Sequence, residues 1–267
     1  MSYLEQIPYK IFLLSILFLF TSIAAGSKPN SVLHQENDQP DAAEIIERME
    51  EVMRGESSYA EMTMKIERPR YTREISMRAW AKGDDFSLIL VTAPARDQGT
   101  TFLKRYNEIW NYVPNVDRTI KLPPSMMSQS WMGSDFTNDD LVRESSIVED
   151  YDHSILREEE YEGYDTWVLE LIPKPDAPIV WDRVLVWVTK EGYMQLRIEN
   201  FDQRGELANT MTLDRIREMD NRTLPTRFTL TPADKPDQRT ILEYAELEFD
   251  IEIEESFFTQ ANMRRIR

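Results

Sequence analysis

The sequence predicts a mainly β protein, an antiparallel meander of about eleven short strands that curls into a barrel or part of one. Two observations carry this prediction. Apolar and polar residues alternate over long stretches, as in residues 60–66 (AEMTMKI), which is the period of a strand with one buried face. Turn-forming pairs such as Glu191-Gly192 and Asp220-Asn221 separate the stretches, and such pairs favour tight connections between antiparallel strands.

The first 26 residues have the layout of a cleavable secretory signal. Lys10 precedes an apolar run over residues 11–23, and a patch of small residues, Ala24-Ala25-Gly26, follows it. The run is shorter than the roughly 20 residues that a membrane-spanning helix needs, which disfavours a retained anchor. We therefore expect a signal peptide over residues 1–26, a flexible polar leader over residues 27–40, and one folded domain over residues 41–267 that works outside the cytoplasm.

Composition restricts the classes of partner. The chain has a formal net charge of -17 and no cysteine. A strongly acidic protein repels phosphate backbones and anionic membrane surfaces, so we expect no nucleic-acid partner and only transient contact with membranes. Because cysteine is absent, neither a disulfide framework nor a lipid-modified cysteine can stabilise or anchor the fold, and stability must come from an ordinary core.

One amphipathic helix is predicted ahead of the strands. Asp41 is placed to cap its first turn, and Glu44 follows three residues later. Apolar residues then recur at helical spacing from Ile45 to Met53, until Gly55 ends the pattern. Stripes of this kind are usually core contacts, so we expect the helix to pack on the sheet.

The strand pattern follows directly after the helix. Each candidate combines alternation or a β-rich apolar run with flanking turn residues. The candidates cover residues 59–67, 74–81, 86–91, 101–105, 108–113, 165–172, 183–189, 194–201, 207–216, 223–230 and 240–249.

Two regions break the strand pattern. Residues 121–143 (KLPPSMMSQSWMGSDFTNDDLVR) form a long segment that is rich in apolar residues but has little strand pattern. Long segments of this kind often have a function. Its end, Thr137-Asn138-Asp139-Asp140, predicts a helix cap that leads into a short helix through Leu141 and Val142. The second break is a proline-rich bend over residues 173–178.

Enzyme functions find little support in the sequence. The two histidines, His34 and His153, cannot assemble a histidine-based triad or a clustered zinc site, and no cysteine nucleophile exists. The acidic run from Asp135 to Asp140 lacks the glycine and the terminal glutamate of a calcium loop. We therefore expect a binding protein without metal or cofactor. A cell-envelope hydrolase is a further alternative, although it has no identifiable catalytic set.

Several motifs resemble those of a known family. They are LILVTAPA (88–95) with QGT (98–100), IWNYVP (109–114), SWMGSDFTNDD (130–140), DQRGEL (202–207), and the closing Phe257-Phe258 with NMRR (262–265). These segments are similar to outer membrane lipoprotein-sorting proteins of the LolA-like superfamily, in the branch often found beside RND-type exporters. The MGSDF stretch is the most specific of them.

The resemblance implies a fold and a function. The implied fold is an incomplete antiparallel β-barrel of about eleven strands, with helices covering its concave face over an apolar cavity that accepts acyl chains. The implied function is that of a periplasmic carrier that shuttles a lipid or lipoprotein between inner-membrane machinery and the outer membrane. The implied inner-membrane partner is an RND-type exporter. The alternative is a periplasmic lipid-sensing regulatory protein that controls a membrane partner.

Methionine and aromatic residues supply the candidate cavity. Methionine repacks easily around irregular chains, and large aromatic rings can bound a cavity mouth. A tight turn at Gly133, Ser134 and Asp135 is expected to position a lid that opens for cargo. For each of these residues, plain core packing or sheet anchoring is the competing interpretation. The candidate lining residues are Met62, Met64, Met77, Trp80, Trp110, Met126, Met127, Trp131, Met132 and Phe136.

Overall fold

The computed structural model describes residues 40–138, 140, 146–175, 177 and 179–267. The expected signal peptide and all but the last residue of the leader lie outside these residues. So do Leu141 and Val142, where a short helix was expected, and part of the proline-rich bend. In the part of the chain that is described, no helix has both the length and the apolar character needed to cross a membrane.

The predicted N-terminal helix is confirmed. Helix α1 covers Ala42–Arg54, and the Asp41 side chain accepts a hydrogen bond of 2.8 Å from the Glu44 backbone N–H. Gly55 follows the helix with a φ of 65°, a conformation in which a residue without Cβ avoids strain. The buried side chains of the helix all belong to the apolar stripe, so α1 packs one face on the protein and exposes the other.

Beyond α1, the described residues contain thirteen strands, one short helix near the C-terminus and three 3₁₀ turns. Helix α2 covers Gln260–Met263, and 3₁₀ turns cover Pro114–Val116, Pro124–Met126 and Glu255–Phe257. The strands are β1 (Ser57–Arg68), β2 (Tyr71–Lys82), β3 (Phe86–Ala93), β4 (Thr101–Arg105), β5 (Glu108–Val113), β6 (Arg118–Lys121), β7 (Tyr151–Tyr161), β8 (Tyr164–Pro173), β9 (Arg183–Thr189), β10 (Gln195–Phe201), β11 (Leu207–Met219), β12 (Arg222–Pro232) and β13 (Arg239–Phe249).

All thirteen strands form one open antiparallel sheet, which confirms the predicted fold class and corrects the strand count. The order is β6-β5-β4-β3-β2-β1-β13-β12-β11-β10-β9-β8-β7, so strands that are neighbours in the sheet are consecutive in the chain except at the join of β1 and β13. The sequence missed β6 and β7, and these are the two edges of the sheet. Edge strands face solvent on more of their surface, so their sequences need no clear apolar alternation.

One face of the sheet, here called the inner face, is continuous across the join of β1 and β13. Side chains directly opposite each other in antiparallel strands lie on the same face. The chain of opposite partners runs Val91–Met77–Met62 on one side, and on the other Met64–Leu242–Phe228–Leu213 and Met211–Ile198–Val186–Leu169. Helix α1 packs on this inner face, where Ile45, Ile46 and Met49 are fully buried against strands β8 and β9.

The C-terminal segment covers part of the opposite, outer face. Phe258 and Met263 are fully buried against Phe86, Leu88 and Leu103, which alternate with the inner-face residues of β3 and β4. Polar contacts hold the segment in place, since Thr101 Oγ1 donates to the Met263 carbonyl at 2.9 Å and Arg105 donates to the Phe258 carbonyl at 3.2 Å. The chain end is therefore an integral part of the core of this half of the sheet.

The buried Phe258 ring gives a stability prediction. Replacing Phe258 by alanine removes a ring that lies 5.5 Å from the Phe86 ring, and leaves a cavity in the outer-face core. We expect the free energy of unfolding to fall by about 3–5 kcal/mol in urea denaturation. The matched control is Leu156→Ala, which removes an exposed side chain and should cost about 0.5 kcal/mol or less. Equal losses in the two variants would contradict this account of the C-terminal segment.

Candidate functional site

The inner face carries two clusters of buried side chains, one under α1 and one centred on strands β1, β2, β3 and β13. Helix α1 contributes Met53, near its C-terminal end, to the second cluster. Trp131 and Phe136 from the irregular segment are buried in this cluster, and Trp131 is fully inaccessible.

Residues 129–138 form a small hairpin over this cluster, here called the 129–138 hairpin. The Trp131 N–H donates to the Phe136 carbonyl at 2.8 Å, and the Asn138 N–H donates to the Gln129 carbonyl at 2.9 Å. Met132 and Gly133 turn the chain with φ values of 49° and 82°, a combination typical of tight hairpin turns. The Ser134 N–H donates to the Trp131 carbonyl at 2.9 Å, so this turn is centred one residue before the predicted turn at Gly133, Ser134 and Asp135.

Polar contacts from the sheet clamp the turn of the 129–138 hairpin. Arg68 donates to both carboxylate oxygens of Asp135, at 2.9 and 3.0 Å, and to the Gly133 carbonyl at 3.2 Å. Thr240 Oγ1 donates to Asp135 at 2.7 Å, and Arg73 donates to the Met132 carbonyl at 2.8 Å. The Arg68 and Asp135 side chains are only 11% and 10% exposed, so this ion pair is screened by little solvent.

A cavity of about 160 Å³ remains between the sheet and the end of α1. Its apolar wall comes from inner-face residues of β1, β2, β3 and β13 together with Met53 of α1. The residues of this apolar wall include Ala60, Met62, Ala79, Ile89, Leu242, Tyr244 and Leu247. This volume is close to that of an engineered cavity known to hold benzene, so the cavity as it stands accommodates a small group but no complete acyl chain.

One end of the cavity is polar. Lys104 and Ser87 line it and are direct cross-strand partners on β4 and β3. Asp140 also lines the cavity and forms a reciprocal cap with Thr137, with hydrogen bonds of 2.7 and 3.1 Å. Although the Asp140 side chain keeps access to solvent, the surrounding protein desolvates the carboxyl group and raises its pKa, against the opposing effect of the Thr137 hydrogen bonds.

The structure places most of the predicted lining residues on the inner face. Met62 lines the cavity, while Met64 and Met77 are buried in the cluster beside Trp131 and Phe136. Met127 and Met132 pack against that cluster from the irregular segment. The Met126 carbonyl accepts a hydrogen bond of 2.8 Å from the Asn138 side chain, which ties it to the 129–138 hairpin. These placements bring the residues together without showing that they contact a ligand.

Two predicted residues lie elsewhere. The Trp80 side chain packs on the outer face between Tyr59 and Phe257, although the residue borders the cavity. Trp110 belongs to the outer-face cluster and lies near the Lys121 ammonium group. Neither indole therefore bounds the mouth of an inner-face cavity. Successive side chains in a strand point to opposite faces of the sheet. Trp80 therefore lies on the face opposite Ala79 and Ala81, and Trp110 on the face opposite Ile109 and Asn111.

Sequence reasoning missed the polar pair Lys104 and Ser87. A charged residue in a five-residue strand suggests an exposed position, yet Lys104 is only 7% exposed. The available signal was alternation, because Phe102 and Lys104 are two residues apart and must share a face. The facing residue on β3 follows only from the register of the two strands.

The clamp on the 129–138 hairpin gives a stability prediction. Replacing Arg68 by methionine leaves the largely buried Asp135 carboxylate without its bidentate partner. We expect a loss of about 3–5 kcal/mol in the free energy of unfolding, measured by urea denaturation, because an unpaired buried charge is costly. The control is Arg204→Met, which removes an ion pair to Asp202 from an arginine that is 74% exposed; this loss should be much smaller because solvent screens an exposed pair. An Arg68→Met loss no larger than that of the control would show that the clamp does not stabilise the fold.

Comparison with known proteins places this architecture in a family. A family model described as "-like: Uncharacterized protein" matches residues 83–265, more than half of the chain. No curated protein matches the chain. Among solved structures, the chain is similar to a DUF1329 family protein from Desulfovibrio piger, with 25% identity, a TM-score of 0.76, and coverage of 83% of this chain and 97% of that one.

Two further structures have the same fold. A domain described as an outer membrane lipoprotein-sorting protein from Vibrio parahaemolyticus is 26% identical, with a TM-score of 0.74 over 84% of this chain and 98% of that one. The LolA superfamily protein NE2245 from Nitrosomonas europaea is 23% identical, with a TM-score of 0.72 over 84% of this chain and 99% of that one. The chain therefore belongs to the family of this model, and it has the fold of the DUF1329, lipoprotein-sorting and LolA-superfamily structures.

Proposed function

We propose that this protein is a periplasmic carrier that binds the acyl chains of a lipid or lipoprotein on its inner face and shuttles them from inner-membrane machinery to the outer membrane. The observation that carries the proposal is the cover of the inner face. The 129–138 hairpin buries Trp131 and Phe136 in the apolar cluster, yet polar contacts hold its turn from outside that cluster. A cover held in this way can leave the sheet without breaking any strand pairing of the thirteen-stranded sheet.

Cargo entry in this proposal requires the 129–138 hairpin to move. The cavity of about 160 Å³ admits only a small group, so a complete acyl chain needs the space that Trp131 and Phe136 occupy. Met62, Met64 and Met77 would then become the floor of the site, with Met127 and Met132 following the moving segment. Unbranched methionine side chains suit this role because they repack around irregular chains at little cost.

The energies of opening and of cargo binding can be compared. Exposing Trp131 and Phe136 costs about 2–3 kcal/mol each, whereas separating Arg68 from Asp135 costs less than deleting one partner would, because opening hydrates both charges. Burying a chain of about 15 methylene groups returns about 12 kcal/mol at about 0.8 kcal/mol each. One long chain therefore offsets the opening, and a cargo with two or three chains leaves a clear surplus. This balance favours lipids and lipoproteins over short amphiphiles.

The remaining features agree with a carrier of this kind. The N-terminal signal pattern supports export to the periplasm, and the net charge of -17 supports transient membrane contact. The donor that we propose is an RND-type exporter of the inner membrane, on the basis of the sequence resemblance. The candidate requires no covalent chemistry, metal or cofactor, since binding and release by the inner face are sufficient for transport.

A lipid-retention experiment tests the proposal. We expect protein purified gently from a periplasmic extract to carry lipid in native mass spectrometry, and to move a fluorescent phospholipid from donor to acceptor vesicles. Replacing Trp131 and Met132 together by aspartate should reduce retention at least about tenfold, because two charges then face the acyl chains. The control is the pair Tyr71→Asp and Val116→Asp at exposed positions. Wild-type retention by a folded Trp131→Asp/Met132→Asp protein would overturn the proposal.

A reversible lock tests the movement of the hairpin without weakening its core. The Asp135 and Thr240 side chains are in contact, with 2.7 Å between Oδ2 and Oγ1, and the chain has no other thiol. We expect Asp135→Cys/Thr240→Cys protein, with its disulfide verified by mass spectrometry, to load lipid at least about tenfold more slowly when oxidised. Reduction with dithiothreitol supplies the matched control, and it should restore loading. Equal loading rates in both redox states would show that the hairpin need not open.

The vesicle assay also separates the proposed carrier from the regulatory alternative. A carrier delivers its lipid to acceptor vesicles, whereas a lipid sensor needs only to retain it. Retention without delivery would therefore replace the shuttling role by lipid sensing.

A further inference from the structure

Lys104 is the most unusual residue of the inner face. It is 7% exposed and lines the cavity, while its neighbours on the same face of β4 and β5 are Phe102 and Ile109. A lysine is rarely buried to this degree unless its ammonium group is paired with an anion or a hydrogen-bond acceptor, because burying an unpaired charge is costly. Lys104 takes part in an interaction within the protein, so an incoming anion would exchange with an existing contact.

Ser87 supplies a second and independent observation. It stands directly opposite Lys104 on β3 and lines the same cavity. Its Oγ atom has almost no solvent access and has no hydrogen-bond partner within the described part of the chain. A buried hydroxyl group without a partner costs free energy, and such groups in native proteins call for an explanation. A ligand atom beside Lys104 that accepts from Ser87 would give this hydroxyl group a partner.

The other charged groups at the cavity also have partners. Arg54 donates to Asp84 at 2.7 Å. The Asp140 carboxylate accepts the Thr137 N–H in its cap. Of the two cations that line the cavity, Arg54 and Lys104, it is Lys104 that stands opposite Ser87.

The position of Lys104 relative to the 129–138 hairpin sets the direction of a bound chain. Phe102 lies two residues before Lys104 on the same face of β4, about 7 Å away along the strand. The Phe102 ring in turn packs on Trp131, with 5.1 Å between ring centroids. A tail that starts at Lys104 therefore leads directly into the space that Trp131 would vacate.

We propose that Lys104 and Ser87 form a head-group subsite for the anionic end of a long-chain amphiphile, a carboxylate or a phosphate monoester, whose tail extends under the 129–138 hairpin. This inference rests on the proposed carrier function and specifies the chemistry of its cargo. Lys104 supplies the charge and Ser87 supplies one hydrogen bond, while Ala60, Met62 and Ile89 line the start of the tail path.

Three single-chain probes of equal tail length test the subsite. Binding of palmitate, hexadecyl phosphate and hexadecanol is measured at pH 8 by displacement of a fluorescent fatty acid. We expect wild-type protein to bind at least one anionic probe about tenfold or more tighter than hexadecanol, since hydrogen bonds to charged groups are the stronger ones. The preference between palmitate and hexadecyl phosphate identifies the head group.

The variants separate a charge effect from a packing effect. Lys104→Met should abolish the preference for the anion and leave hexadecanol binding within about twofold, whereas Lys104→Arg should keep the preference. Ser87→Ala should lower anion binding about threefold to tenfold. Equal wild-type affinity for all three probes, or an unchanged preference in Lys104→Met, would overturn the subsite while leaving the carrier proposal intact. Failure of every probe to bind would count against both proposals.

Discussion

The structure depends on covering the apolar face of an open sheet. Thirteen antiparallel strands form a sheet with two edges, and one face carries methionine, leucine, valine and isoleucine side chains from β3 across to β8. A closed barrel would bury such a face by itself, whereas an open sheet has to recruit other segments. Helix α1 covers one half of the face, and the 129–138 hairpin covers the other.

The two covers are held in different ways. Helix α1 precedes the sheet in the chain and buries Ile45, Ile46 and Met49 along a regular stripe. The 129–138 hairpin buries two aromatic side chains in the apolar cluster. Its turn accepts hydrogen bonds from Arg68, Arg73 and Thr240. Under the proposed carrier function, these few groups would control whether this half of the inner face opens for cargo.

Covering the face also gives the site its polarity. The cluster under the hairpin is apolar, but the cavity beside it ends at Lys104, Ser87 and Asp140. In the proposed carrier, an interior of this kind would distinguish the two ends of an amphiphile, since a tail prefers apolar methionine side chains and a charged group prefers polar ones. The apolar face would then supply affinity, and the polar residues would orient the ligand.

Local patterns determined much of this protein before any tertiary structure was considered. The limits of α1 followed from Asp41 and Gly55, eleven of thirteen strands followed from alternation, and the turn at Gly133 followed from its composition. These features depend on neighbours within a few residues, so the sequence alone contains them. The resemblance to a family supplied the openness of the sheet.

Only the tertiary structure decided the rest. The edge strands β6 and β7 lack a clear apolar–polar alternation because one side of each strand faces solvent instead of a neighbouring strand. Trp80 and Trp110 face outward, while Trp131 faces inward, because strand register and the C-terminal segment select which side each indole packs on. The meeting of Lys104 with Ser87, and of Arg68 with Asp135, joins residues far apart in the chain. Such pairings arise from the strand register and from where the 129–138 hairpin packs on the sheet, which no local pattern encodes.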